Sequence, residues 1–201
     1  MSNKKKSLYV NFSTTAGTAH FSWLSKPDTG AEFSDGKYKV TMSFSKDDPV
    51  VEKLNAVVAD AAEREWGNNM PANWHNPIKC GDSSGKEQYA GRVFFTIKST
   101  RAPTLVDAKN NALPASVLIM SGDTCRVAGA AKAYAGSQKG VSLYLDMVKL
   151  IQKNNSGASG GPATATSVFG EDEGYTAAEA GTEVFEAPVV NTGSAIDIDD
   201  L

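Results

Sequence analysis

Every Lys and Arg of this 201-residue chain lies before residue 154. Residues 1–153 hold all 20 basic residues against 14 acidic ones, a net charge of +6, whereas residues 154–201 hold 9 acidic residues and no basic one, a net charge of −9. The second segment is rich in Gly, Ala, Ser and Thr, has no Trp and shows no sustained period. A segment of that composition buries too little apolar surface to offset the entropy of ordering. The expected organisation is therefore one folded domain over 1–153 and a disordered acidic tail over 154–201, and the fold must be built from the first segment alone. A basic body joined to an acidic tail points to a polyanion partner, or to a tail that mimics one.

Within the body, Tyr38, Val40, Met42 and Phe44 alternate with Lys37, Lys39, Thr41 and Ser43. That period of two predicts a strand over Lys37 to Ser45 with one buried face and one basic, wet face. Asp47 or Asp48 then caps a helix with Pro49 in its first turn, and apolar residues from Val51 to Ala62 recur at helical spacing as far as about Trp66. Further strands are expected at Leu8 to Phe12, Ala19 to Leu24, Arg92 to Thr100 and Thr104 to Val106. Thr124 to Tyr134 and Val141 to Gln152 read as a hairpin with a basic tip, and Gly67 to Gly91 as a long loop. Several short strands with one inserted helix predict a mainly β protein, a small antiparallel barrel.

Catalytic signatures are absent: the sequence has no GxxxxGK[ST], GxSxG or HExxH, and no GxGxxG after a strand. His20, His75, Cys80 and Cys125 lack the spacing of a zinc site, and Asp107 and Asp123 read as turn residues. Neither a metal, a cofactor nor an enzymatic activity is expected. No apolar run approaches the ~18 residues of a membrane span, and the start MSNKKKSLYVNF lacks a signal peptide's apolar stretch, so a cytoplasmic protein is expected.

What the body does carry is cations interleaved with aromatics on strands: Lys37, Tyr38 and Lys39; Arg92, Phe94 and Lys98, with Arg101 beyond; and Arg126, Lys132 and Tyr134, with Lys139 at the hairpin tip. Single-stranded nucleic acid calls for both types, because cations follow phosphates and ring faces stack on bases at about 1–3 kcal/mol each. Lys4, Lys5 and Lys6 form either a phosphate-binding arm or a solubilising one. In the tail, acids flank small apolar clusters, ending in Ile196, Asp197, Ile198, Asp199, Asp200 and Leu201. These are either docking motifs or solubilising segments.

The chain resembles the single-stranded-DNA-binding proteins of bacteriophages, particularly those of short-tailed coliphages. The resemblance rests on Gly17-Thr18-Ala19, on Trp23 to Asp28, on Gly36-Lys37-Tyr38-Lys39-Val40 leading to Lys46-Asp47-Asp48-Pro49, and on Arg126-Val127, Tyr134 and Gly140 to Leu145 ahead of an acidic tail. It implies an OB-fold with an inserted helix, and sequence-independent binding of single-stranded DNA in replication, recombination and repair within the infected bacterial host. It also implies a tail that competes with DNA for the groove and recruits DNA polymerase and the helicase-primase, here through Asp197, Asp199, Asp200 and Leu201, and it makes a homodimer plausible. Arg126 matches a basic groove position and Tyr134 an aromatic one, while Lys98 and Arg92 lie near the basic positions of their strand. Asp35 stands where the family can carry a basic residue, and Leu201 where some relatives end on an aromatic one. The rival readings are a phage structural or assembly protein built on a small β-barrel and, from another class, a hydrolase or nuclease using His75.

Overall fold

The computed structural model describes residues 7–30 and 34–154. Among these are eight strands, β1 (Val10–Ser13), β2 (Gly17–Trp23), β3 (Tyr38–Ser45), β4 (Lys79–Cys80), β5 (Arg92–Ser99), β6 (Thr104–Val106), β7 (Thr124–Ala135) and β8 (Lys139–Gln152), and one helix, α1 (Pro49–Trp66). The Lys4 to Lys6 arm and the expected tail, from residue 155 to its acidic end, lie outside the described residues.

Five strands close a ring in the order β7, β2, β3, β5, β8 and back to β7. Its seams are antiparallel except that between β5 and β8, which is parallel and paired at Lys98 and Tyr144. Strand β1 continues the edge that β2 begins, pairing with β7 from Ala128 to Ala131. Between them the Thr14 hydroxyl accepts from the Val127 amide at 3.1 Å. This mainly β ring with one helix inserted between β3 and β5 is the expected OB-fold barrel.

The alternation read from the sequence fills the barrel. Val40, Met42 and Phe44 of β3 and Phe95 and Ile97 of β5 are buried, with Phe44 stacked on Phe95 at 5.9 Å. Removing such a ring to Ala costs about 3–5 kcal/mol. On β8 the inward run Val141, Leu143, Leu145 shifts phase to Val148 and Leu150, because Ala128 pairs with Met147 and Gly129 with Leu145. Asp146 is the extra residue of a bulge, which turns the following residues by one position.

Asp48 caps α1: its carboxylate accepts from the Val50 amide at 2.9 Å, and Pro49 occupies the first turn. The helix buries Val50, Leu54, Val58, Ala61 and Ala62 and packs on β7 and β1. Near its end Arg64 pairs with Asp60 at 2.6 Å and donates to the carbonyls of Ser7 and Tyr9, at 2.8 and 3.1 Å. Those bonds fix the approach to β1.

Two expectations are corrected. The outer face of β3 is wet at its two ends but not between them, since Thr41 is 7% exposed and Ser43 is wholly buried, whereas Ser45 is exposed. The cover comes from the segment after α1, which folds back through three 3-10 turns and β4, is tied down by a Lys46–Asp82 ion pair, and sets the buried Tyr89 against His20 and Phe94. Asp107 is a turn residue, accepting from the amides of Lys109 and Asn111, but Asp123 does more. Its buried carboxylate accepts from the Met120 and Asn154 amides and from Lys153 Nζ, each at 2.8 Å, and so ties the end of β8 to the loop before β7. Among the described residues no helix is long and apolar enough to cross a membrane, and no cluster of His, Cys, Asp and Glu is arranged to hold a metal ion.

Candidate nucleic-acid interface

Where β5 and β8 part on either side of their single paired position, a cleft of about 1070 Å³ opens on the barrel. Its floor follows from the β3–β5 register, which sets Lys39 opposite Lys98, Thr41 opposite Thr96 and Ser43 opposite Phe94 on the outer face. The face therefore runs from charged to polar to aromatic. The Thr41 and Thr96 hydroxyls bond each other at 2.8 Å in the middle of it.

Two ammonium groups directly opposite on one face repel. Asp35, just before β3, lies between them, with Oδ1 3.3 Å from Lys39 Nζ and Oδ2 2.7 Å from Lys98 Nζ, and Asp28 holds Lys39 from another side at 2.5 Å. The Lys98 bond, with Lys39 adding to it, brings the Asp35 carboxyl down to about 2.

The wall opposite is aromatic. Tyr144 of β8 is 41% exposed and meets Tyr9 edge-on at 5.9 Å, while Lys132 of β7 sits over the Tyr9 ring at 4.8 Å. Tyr134 of β7 lines the same wall farther along, beside His75, whose amide donates to the Lys139 carbonyl at 2.9 Å and whose carbonyl accepts from the Val141 amide at 3.1 Å. At the β2 rim Phe21 is 53% exposed and has a φ of 47°, a left-handed conformation that costs a bulky residue energy. Its amide donates to Ser121 Oγ at 3.0 Å, and Lys86 Nζ lies 5.7 Å from its ring.

Of the residues singled out in the sequence, Lys37, Lys39, Phe94, Lys98, Arg101 and Tyr134 line the cleft. Phe94 has one face already stacked on Tyr89, 4.1 Å between centroids. Lys132 reaches the cleft only through Tyr9, and Lys139 does not line it. Arg92 is spent on the sheet itself, donating to Ser43 Oγ, Ser43 O and Thr18 Oγ1 at 2.9 to 3.1 Å. Arg126 stands eight residues before Tyr134 on β7, about 26 Å along an extended strand, with its Nε donating to the Thr14 carbonyl at 2.8 Å. Tyr9, Phe21, His75, Lys79 and Tyr144 line the cleft and were not singled out as binding residues. Only Tyr144 had a readable signal, an aromatic out of phase with Val141, Leu143 and Leu145.

The sequence profile of the family described as Enterobacter phage Enc34, ssDNA-binding protein, matches residues 15–180. No curated protein sequence matches the chain. Among solved structures, gp2.5, a single-stranded DNA binding protein encoded by bacteriophage T7, is 19% identical with a TM-score of 0.59, over 75% of this chain and 96% of that one. The single-stranded DNA-binding protein from bacteriophage Enc34, solved in complex with ssDNA, is 14% identical with a TM-score of 0.61, over 72% of this chain and 88% of that one. A C-terminal truncation of the Enc34 protein gives 16% identity and a TM-score of 0.61, over 72% and 87%. At these identities the likeness is one of fold.

Proposed function

The chain belongs to the Enc34 single-stranded-DNA-binding family of bacteriophage proteins, and we propose from that premise that its cleft binds single-stranded DNA without sequence preference. The observation that carries the reading is the meeting, in one cleft, of the Lys39 and Lys98 ammonium groups with the exposed rings of Tyr9 and Tyr144 and the half-buried ring of Tyr134. Cations of this kind follow phosphates whatever the sequence, and ring faces accept any base. The Enc34 protein, solved with ssDNA bound, lends support from a related fold.

The protein acts as a binding module with no covalent step. Phosphates lie along Lys37, Lys39, Lys98 and Arg101, and bases stack on Tyr9, Tyr144 and Tyr134. Work in replication, recombination and repair inside the infected bacterium follows from the need to protect single strands. The residues that follow β8, with a charge of opposite sign to the body, compete with DNA for the cleft and, once displaced, offer Asp197, Asp199, Asp200 and Leu201 to DNA polymerase and the helicase-primase. A homodimer belongs to the same reading.

The test is fluorescence anisotropy of the full-length protein with labelled single-stranded and duplex oligonucleotides at two salt concentrations. Preference for the single strand, with affinity falling at a log–log slope of about −0.7 per phosphate neutralised, is the expected result. Equal affinity for both forms, or no binding to either, overturns the reading.

A further inference from the structure

Asp35 gives its two carboxylate oxygens one to each member of the cross-strand lysine pair, Oδ1 to Lys39 at 3.3 Å and Oδ2 to Lys98 at 2.7 Å. The two non-bridging oxygens of a phosphodiester offer the same pair of acceptors to the same two ammonium groups. Both lysines line the cleft; the Lys98 side chain is 45% exposed and the Lys39 side chain 17%, so a ligand reaches the pair from the Lys98 side.

Asp35 is also placed to leave. It lies outside β3, in the connection closed by the Gly36 amide on the Asp28 carbonyl (2.8 Å) and the Asp28 amide on the Lys37 carbonyl (3.0 Å). Its carboxylate can swing away while those bonds and the β3–β5 ladder stay intact. Asp28 differs: its side chain is 10% exposed and it holds Lys39 from below at 2.5 Å, so that lysine stays anchored when Asp35 departs.

We propose that Lys39 and Lys98 form a phosphate seat that the Asp35 carboxylate fills in the free protein, and that the DNA backbone takes the seat by displacing it. The proposal deepens the single-stranded-DNA reading and rests on it. Asp35 is then an anionic competitor built into the cleft, separate from the acidic tail and acting on one defined seat. It weakens the complex, because a phosphate takes the seat only by breaking the two carboxylate–ammonium contacts.

The experiment measures full-length wild type, Asp35→Asn, Lys98→Ala and the double variant with labelled oligo-dT across a salt series, with thermal unfolding of each as the check on folding. Asp35→Asn is expected to bind about two- to fivefold tighter, the range of a partly exposed ion pair. In the Lys98→Ala background the Asp35→Asn gain is expected to shrink to well under half, because only the longer Lys39 contact is left for the carboxylate to hold. Wild-type binding with no gain from Asp35→Asn overturns the exchange and leaves the cleft reading standing. A gain that persists undiminished without Lys98 also overturns it, since it would report net charge alone. If wild type and every variant fail to bind single strands, the cleft reading falls and takes the seat with it. Should Asp35→Asn lower the unfolding temperature, Asp35→Ser repeats the comparison with a shorter side chain and the same outcomes.

Discussion

Tyr134 and Gly140 face each other across the β7–β8 hairpin, and the bare backbone at Gly140 is what lets the phenol lie over the strand. A Cβ at Gly140 would stand 2.5 Å from the Tyr134 hydroxyl oxygen and 2.8 Å from the His75 Cβ. Gly140→Ala is therefore expected to push both residues off the cleft wall. Overpacking of this kind costs about 1–3 kcal/mol. Single-strand affinity should fall by nearly as much as in Tyr134→Ala, and the two substitutions combined should fall little further. Anisotropy with the three variants checks this, and additive losses would mean that Gly140 acts elsewhere.

Tyr144 is exposed on the cleft wall, outside the buried core, and meets Tyr9 edge-on, so its ring can be removed without opening the core. Tyr144→Ala should weaken single-strand binding by about 1–3 kcal/mol, the range for one stacked base, with the unfolding temperature almost unchanged. Arg126→Ala should do the reverse. Its guanidinium serves the Thr14 carbonyl at the far end of β7, so its loss should cost about 1 kcal/mol of stability and leave affinity within about twofold of wild type. A large affinity loss in Arg126→Ala would extend the DNA path well beyond the cleft.

The parts of this fold that were legible in the sequence are those set by neighbours a few residues apart. The alternation from Tyr38 to Phe44 named the inner face of β3, and Asp48-Pro49 named the start of α1. Lys39 and Lys98 could be picked out as cations on strands, but that they stand opposite each other depends on a register between residues 59 positions apart. Arg92 is harder still, because its partners, Ser43 and Thr18, come from two other strands, and nothing local marks a guanidinium that will be turned into the sheet. Phe21 shares the phase of the buried Ala19, and strand alternation alone would place it inward. A left-handed residue at the irregularity between His20 and Trp23 turns it out to the rim instead. The dryness of β3 at Ser43 is hidden for a similar reason: His20 and Arg92 bond its hydroxyl from β2 and β5, and Tyr89 packs on His20 through a long segment whose path no period encodes.

His20 is set between the Ser43 hydroxyl, 2.8 Å from Nε2, and the edge of Tyr89 at 5.1 Å. Burial first, and then the Arg92 charge, hold its pKa below the ordinary value of 6.5. In the unfolded chain the imidazole takes a proton at its usual pKa, whereas the folded protein refuses it until the pH is lower. Unfolded molecules then bind more protons, so stability falls as the pH drops through 6.5 toward the folded value. Thermal unfolding between pH 7.5 and pH 5 should show a steeper decline for wild type than for His20→Gln. Parallel curves would mean that His20 is protonated in the fold without penalty.

The acidic segment offers the last test. Asn154 should be kept, because its amide bonds Asp123 at 2.8 Å and helps to close the end of β8, so the informative deletion removes residues 155–201 and with them 9 acidic residues. If those residues compete with DNA for the cleft, the shortened protein should bind single strands more tightly at low salt. The gap should narrow as salt rises, because screening weakens the internal competitor along with the DNA contacts. Adding Asp35→Asn to the deletion should tighten binding further, since the carboxylate at the Lys39–Lys98 pair is present whether or not the tail is. Anisotropy titrations of the four proteins at 50 and 200 mM salt decide it. Unchanged or weaker binding by the deletion would leave the tail a solubilising segment, and would put the control of the cleft on Asp35 alone.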